Sequence, residues 1–157
     1  MGYTSFIGID PGQSGGLAQL DSEGVVSLNP MPVTERDIFE WFDPWIGEPF
    51  AYPFACIEKV HAMPQQGVSS TFKFGVGYGG LRMALIAAGV PFEEVTPRAW
   101  QKALGIPPRK VKRESKTLFK SRLKAKAQQL FPQERITLKT CDALLIMEYC
   151  RRTYGGK

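Results

Sequence analysis

The sequence predicts a mixed α/β domain whose sheet opens with an antiparallel meander. Three observations carry this reading. Runs 3–10, 15–20 and 24–29 have strand-like composition and follow one another with only turn residues between them. Two later runs, 54–58 and 90–95, are again strand-like, and helical apolar periodicity surrounds them. The length, 157 residues, suits one domain with one substantial core.

Each element has a local cause. Pro11-Gly12 and Asp21-Ser22-Glu23-Gly24 supply the turns of the meander, and Asn29-Pro30-Met31-Pro32 ends it. Thr34 is placed to cap a helix whose apolar residues Ile38, Phe39, Phe42 and Trp45 share a face through about Ile46. Gly47 to Pro53 is a connector. Lys59 to Phe74 reads as a loop, with Ser69 or Ser70 as the cap of the helix that follows and ends at Gly89. Gly75, Gly77, Gly79 and Gly80 are unusual there, since each costs ~1 kcal/mol against alanine in a helix interior. They suit the close approach of another backbone.

Thr96-Pro97 opens a short helix, in which Trp100 reads as core. Gly105-Ile106-Pro107-Pro108 stops it, and a basic loop follows over 109–112. From Glu114 to Phe131 the apolar positions Leu118, Phe119, Leu123, Ala127 and Leu130 are spaced for one buried face, with lysines covering the other. The last helix begins near Lys139 or Cys141 and runs to about Thr153.

Charge is distributed unevenly. Residues 1–97 hold eleven acidic and four basic residues, whereas residues 98–157 hold four acidic and sixteen basic. Between Arg98 and Lys126 eleven Lys or Arg stand against one acid, Glu114, a balance that favours a polyphosphate partner. No apolar run approaches the ~20 residues of a membrane span, and the first residues lack a charged-then-apolar leader. Three scattered cysteines form no CxxC pair, which argues against a disulfide framework or a zinc cluster and for a reducing, cytoplasmic setting.

Three acids stand where the apolar pattern points inward. Asp10 ends the first strand and shares a face with Phe6 and Gly8, while Ile7 and Ile9 face the other way. Asp-Pro-Gly is also a good turn sequence in its own right. Glu58 repeats the arrangement at the end of Phe54-Ala55-Cys56-Ile57. Asp142 stands on the same helical face as Leu145, Ile146 and Tyr149, in a first turn where the helix dipole also favours an acid. Buried carboxylates repel one another and cluster stably around cations. Oxygen ligands without a His/Cys set point to Mg²⁺ or Mn²⁺. Beside a basic surface, the matching chemistry is metal-assisted phosphodiester hydrolysis.

Ile7-Gly8-Ile9-Asp10-Pro11-Gly12, Cys56-Ile57-Glu58 and Asp142-Ala143-Leu144-Leu145-Ile146 resemble the three acidic motifs of RuvC-type Holliday junction resolvases, in order and spacing across nearly the whole chain. The segments from Val60 to Gly75 and Thr96-Pro97-Arg98-Ala99-Trp100 are similar to the phage branch of that family. The resemblance implies an α/β, RNase H-like fold: a five-stranded mixed sheet, first three strands antiparallel, with helices on both faces. It implies that residues 1–157 form a single nuclease domain, acting as a homodimer that resolves branched DNA, the four-way junction, by paired cuts in the host cytoplasm. Asp10, Glu58 and Asp142 would be the ligands of two Mg²⁺ or Mn²⁺ ions, with no nucleotide cofactor. His61, Gln66, Ser69, Ser70 and Lys73 would meet the junction near its crossover. Lys102, Arg109, Lys110, Lys112, Arg113 and Lys116 would meet its backbone.

One position departs from the family. Where RuvC-type enzymes usually carry an Asp or His one helical turn before the last aspartate, this chain has Lys139. A charged lysine does not ligate a metal. Lys139 is therefore a candidate for contacting the scissile phosphate or moving a proton, with a solvated lysine at a helix start as the alternative.

Two other readings compete. An actin-like ATPase or sugar kinase uses a similar strand-Asp-x-Gly turn, but needs two lobes and no basic stretch. A catalytically silent DNA-junction-binding module of the same fold has no such difficulty.

Overall fold

The computed structural model describes residues 2–48, 52–61 and 65–156. Part of the expected 47–53 connector and residues 62–64 of the expected loop lie outside the described residues. The meander forms as expected: β1 (Ser5–Asp10), β2 (Gly16–Leu20) and β3 (Val26–Pro30) pair antiparallel in sequence order. Asp21 makes the second turn by accepting the backbone N–H groups of Glu23 and Val25 on Oδ1, at 2.9 and 2.8 Å. β4 (Pro53–Glu58) adds to β1 in parallel, and β5 (Phe92–Val95) adds to β4 in parallel. The sheet is five-stranded and mixed, in the order β3-β2-β1-β4-β5.

Alternation along β1 divides the interior into two layers. Ile7 and Ile9 join Leu17, Ala55 and Ile57 under α1 (Glu35–Phe42) and α2 (Val68–Ala87), which contribute Ile38, Phe42, Leu81 and Leu85. Phe6, Ala18 and Cys56 face the other way, toward α3 (Pro97–Ala103), α4 (Lys116–Leu130) and α5 (Cys141–Tyr154). Thr34 caps α1 in a reciprocal box with Asp37, as the sequence predicts. Thr96 caps α3 with proline in its first turn.

α5 departs from the one-faced helix its pattern implied. From Cys141 to Glu148 every residue except Asp142 is buried. The cause is contact with the centre of the sheet: a Cβ on Gly8 would overlap the carbonyl of Ala143 and the amide of Met147. Backbone thus lies on backbone, which only glycine permits. Glu148, buried at the far end, is matched by Arg151 and Arg152 at 2.8 and 2.6 Å.

α2 corrects another expectation. The helix starts at Val68, so residues 68–74 are not loop, and Gly67 rather than Ser69 or Ser70 holds the N-cap position. No proline or glycine interrupts 68–74, so the helix extends back until Gly67. Gly75, Gly77 and Gly79 meet nothing within 4 Å among the described residues. In α4, Leu123 and Ala127 are buried as expected, but Leu118 is exposed.

Candidate active site

The site begins with the pairing of β1 and β4. Because they are parallel with Ile9 beside Ile57, both strands end at one edge, and Asp10 and Glu58 stand next to each other there. Past Asp10 the chain must turn sharply. Gly12 adopts φ +100°, and the ring of Phe74 lies against it. Asp142 arrives from the third direction, in the first turn of α5, because the Gly8 contact seats that helix directly on β1.

The three carboxylates feel one another. Burial, then the charges of Asp142 and Glu58, push Asp10 up to about 8. Burial first, then Asp142, pushes Glu58 up to about 7, although a hydrogen bond from Trp100 works the other way. That bond is specific. Trp100 is fully buried, and its Nε1–H donates to Glu58 Oε2 at 2.8 Å. The indole therefore fixes one oxygen of Glu58 and leaves the other uncommitted to it. On the opposite side the Cys141 thiol donates to Asp142 Oδ1 at 3.3 Å. Burial and the adjacent Asp142 push that thiol up to about 12, so it stays a donor.

Among the described residues, one cation sits among the acids. Lys120 of α4 places its ammonium 2.5 Å from Asp142 Oδ2 and 3.7 Å from Asp10 Oδ2. Burial opposes its charge, but Asp142 and Asp10 hold it above the ordinary lysine range. The expectation that the lysines of this helix cover the solvent face fails here, because Lys120 lies three residues before Leu123 and seven before Ala127, on the buried stripe. That spacing was the available signal. For Trp100 the signal was chemical: a buried indole needs an acceptor for its N–H.

Three carboxylates drawn together, with the Lys120 ammonium on two of them, form an oxygen donor set that suits a divalent cation. Among the described residues, no three His, Cys, Asp or Glu side chains are arranged around a common point that would hold a metal ion. The present arrangement is that of carboxylates gathered partly by Lys120.

Other candidates fall around this centre. Lys139 is exposed in the turn that precedes α5, outside the helix, and the lysine among the acids is Lys120 instead. Its backbone carbonyl, rather than its side chain, is packed, close to Gly16. His61, Gln66, Ser69, Ser70 and Lys73 are exposed at the start of α2 and the segment before it. Gln66, Ser70 and Lys73 line a groove with Gly12, Gln13 and Ser14 of the β1–β2 turn.

Lys102, Lys110, Lys112, Arg113 and Lys116 are exposed, whereas Arg109 is half-buried and donates to the carbonyl of Glu114 at 2.9 Å. Glu114, the only acid of the basic stretch, receives Arg122 through Nε and Nη2, both at 3.0 Å. Its Oε2 also accepts the backbone N–H of Lys110 at 3.3 Å. Arg109, Glu114 and Arg122 thus fold the loop and leave its other cations outward.

No family model matches the sequence, and no curated protein matches it. Solved structures do resemble it. Thermus thermophilus RuvC in complex with a Holliday junction substrate aligns over 96% of both chains, with a TM-score of 0.62 and 17% identity. A second T. thermophilus RuvC structure aligns over 95% of this chain and 96% of its own, with a TM-score of 0.57 and 18% identity. The fold is that of RuvC. At such identity the likeness is one of backbone path. Within the RuvC fold, this chain brings Asp10, Glu58 and Asp142 to one edge of the sheet, with Lys120 and Trp100 against them.

Proposed function

We propose that residues 1–157 form one nuclease domain that cuts four-way DNA junctions by divalent-metal-assisted phosphodiester hydrolysis. The observation that carries this reading is the convergence of three acids from β1, β4 and α5 with one lysine to offset them. Carboxylates with strongly raised pKa values gathered at one edge of a sheet are a mark of functional sites. Bound there, Mg²⁺ or Mn²⁺, two ions per site, would supply an activated water and stabilise the leaving 3′ oxygen.

The chain's own residues do the rest. Asp10, Glu58 and Asp142 supply oxygen ligands. Trp100 fixes the orientation of Glu58, and Cys141 that of Asp142. The exposed lysines and arginines of the 109–113 loop and of α3 and α4 hold the phosphate backbone. His61, Gln66, Ser69, Ser70 and Lys73 reach the strands near their crossover. Lys139, exposed at the approach to Asp142, contacts phosphate rather than metal.

The partner for paired cutting is a second copy. Val68, Phe72, Val76, Met83 and Ile86 form an exposed stripe along α2, with Phe72 73% and Val68 88% exposed. Gly75 and Gly79 interrupt the stripe, where a second α2 would come close.

The deciding experiment is a nicking assay with Mg²⁺ or Mn²⁺ on four-way junctions, flaps and linear duplex, beside Asp10→Asn. Selective paired nicking of the junction, abolished by Asp10→Asn, is the expected result. Absence of metal-dependent cutting on every substrate would favour a junction-binding module without catalysis. Equal cutting of all three would keep the nuclease and remove the junction specificity.

A further inference from the structure

We infer that Lys120 is a resident counter-cation of the carboxylate cluster, and that a divalent ion enters the site only by displacing its ammonium from Asp142 and Asp10. The inference rests on the metal-dependent reading above and adds a control on it. Lys120 Nζ is 2.5 Å from Asp142 Oδ2 and 3.7 Å from Asp10 Oδ2, so it engages one oxygen of each acid that a metal would need. An ammonium and a divalent cation cannot share those oxygens without strong repulsion. Two ligands that compete for one set of atoms weaken each other by the same factor.

The stem permits the exchange. Lysine has a flexible four-carbon chain, and the Lys120 side chain keeps 29% exposure, so its head group has a path to water without movement of α4. Among the described residues no ammonium is paired with Glu58, whose partner is the neutral indole of Trp100. Lys120 therefore stabilises the metal-free cluster and weakens metal binding, so that metal occupancy tracks an abundant ion rather than a trace one.

The test is Mg²⁺ binding to the full chain without DNA, by titration calorimetry and by Mg²⁺-induced thermal shift. It is run at pH 9, so that protons do not replace the missing ammonium. Lys120→Met should bind Mg²⁺ at least about five-fold more tightly than the parent, the low end of ordinary coupling between two ligands. Its melting temperature should be lower without metal and rise more with it. Lys120→Arg, which keeps the charge, should bind no more tightly than the parent. Equal or weaker Mg²⁺ binding by Lys120→Met overturns the inference while leaving the metal reading intact. Absence of Mg²⁺ binding by both parent and variant removes the metal reading, and the inference with it.

A measurement on the parent decides the matter even if the methionine variant does not fold. The Lys120 side-chain ammonium resonance, identified by its loss in Lys120→Arg, should move to the position of solvent-exposed lysines at saturating Mg²⁺. A resonance that stays where it was would contradict displacement.

Discussion

At the scale of single residues, the acids of the site work against the fold that holds them. Asp10 and Glu58 have folded-state pKa values of about 8 and about 7, above their ordinary 3.8 and 4.5. The folded chain therefore holds protons that the unfolded chain releases, and stability falls as pH rises through that interval. With metal chelated, the melting temperature should decline between about pH 5 and 8, the more so when Lys120 is also removed. Asp10→Asn should flatten the decline, as a thermal melt series across pH would show. Glu148 acts in the opposite sense: Arg151 and Arg152 outweigh its burial and lower its pKa, so its contribution is lost only on acidification below the ordinary glutamate range. Trp100 is the second residue to test. Trp100→Phe keeps most of the ring but leaves Glu58 Oε2 without its donor. It should cost about 1–3 kcal/mol in urea unfolding, the usual loss when a buried acceptor is left without its donor. Junction cleavage should drop while junction affinity, measured in Ca²⁺, stays near the parent value.

At the scale of elements, β1 and α5 form the frame on which the site depends. Their backbones touch at Gly8, and no side chain fits between them. Gly8→Ala should therefore separate helix from strand at a cost of about 3 kcal/mol or more, at or beyond the upper end for overpacking because the obstacle is backbone. Chemical denaturation measures the cost directly. Asp142 would retreat from Asp10, so cleavage should fall further than stability alone predicts. The basic loop is a second element whose form follows from one residue. Glu114 gathers Arg122, the N–H of Lys110 and, through its carbonyl, Arg109. Arg122 also stacks over Phe119, 4.9 Å from the ring centre. An eleven-to-one basic stretch is thus not a loose tail, because its single acid ties it down.

At the scale of the whole molecule, the acidic and basic halves of the chain meet at one end of the sheet. The carboxylates lie at the ends of β1 and β4, and Lys120 of the basic half reaches them. Replacing Lys110, Lys112 and Arg113 together by alanine should weaken junction binding across all sequences. It should also reduce the magnitude of the log affinity against log salt slope by about two to three, one phosphate contact each. Fluorescence titrations at several salt concentrations provide that slope. In the proposed dimer the α2 stripe is the interface. Phe72→Asp should convert that dimer to a monomer in sedimentation, lower the melting temperature to a value that no longer depends on protein concentration, and replace paired nicks by single ones.

Much of this was legible along the chain. The order of strands and helices follows from turn residues, caps and apolar period, which are local. Asp10 and Glu58 were legible because each ends a strand that is otherwise buried, where a carboxylate has no packing reason to be. Lys120 and Trp100 were not recognised. A lysine every few residues on α4 looks like a solvated face, and which lysine turns inward depends on where α5 and β1 lie beneath it. An indole in an apolar stripe looks like filling until the strand carrying Glu58 is set beside it. The start of α2 was also misread, since its first turn carries Ser69 and Ser70, which suit a cap, while the helix runs back to Val68. Backbone form is set by neighbours in the chain, and the amino-acid order specifies it. The partners of a charged or polar side chain are set by neighbours in space, and those exist only once the sheet and its helices have packed.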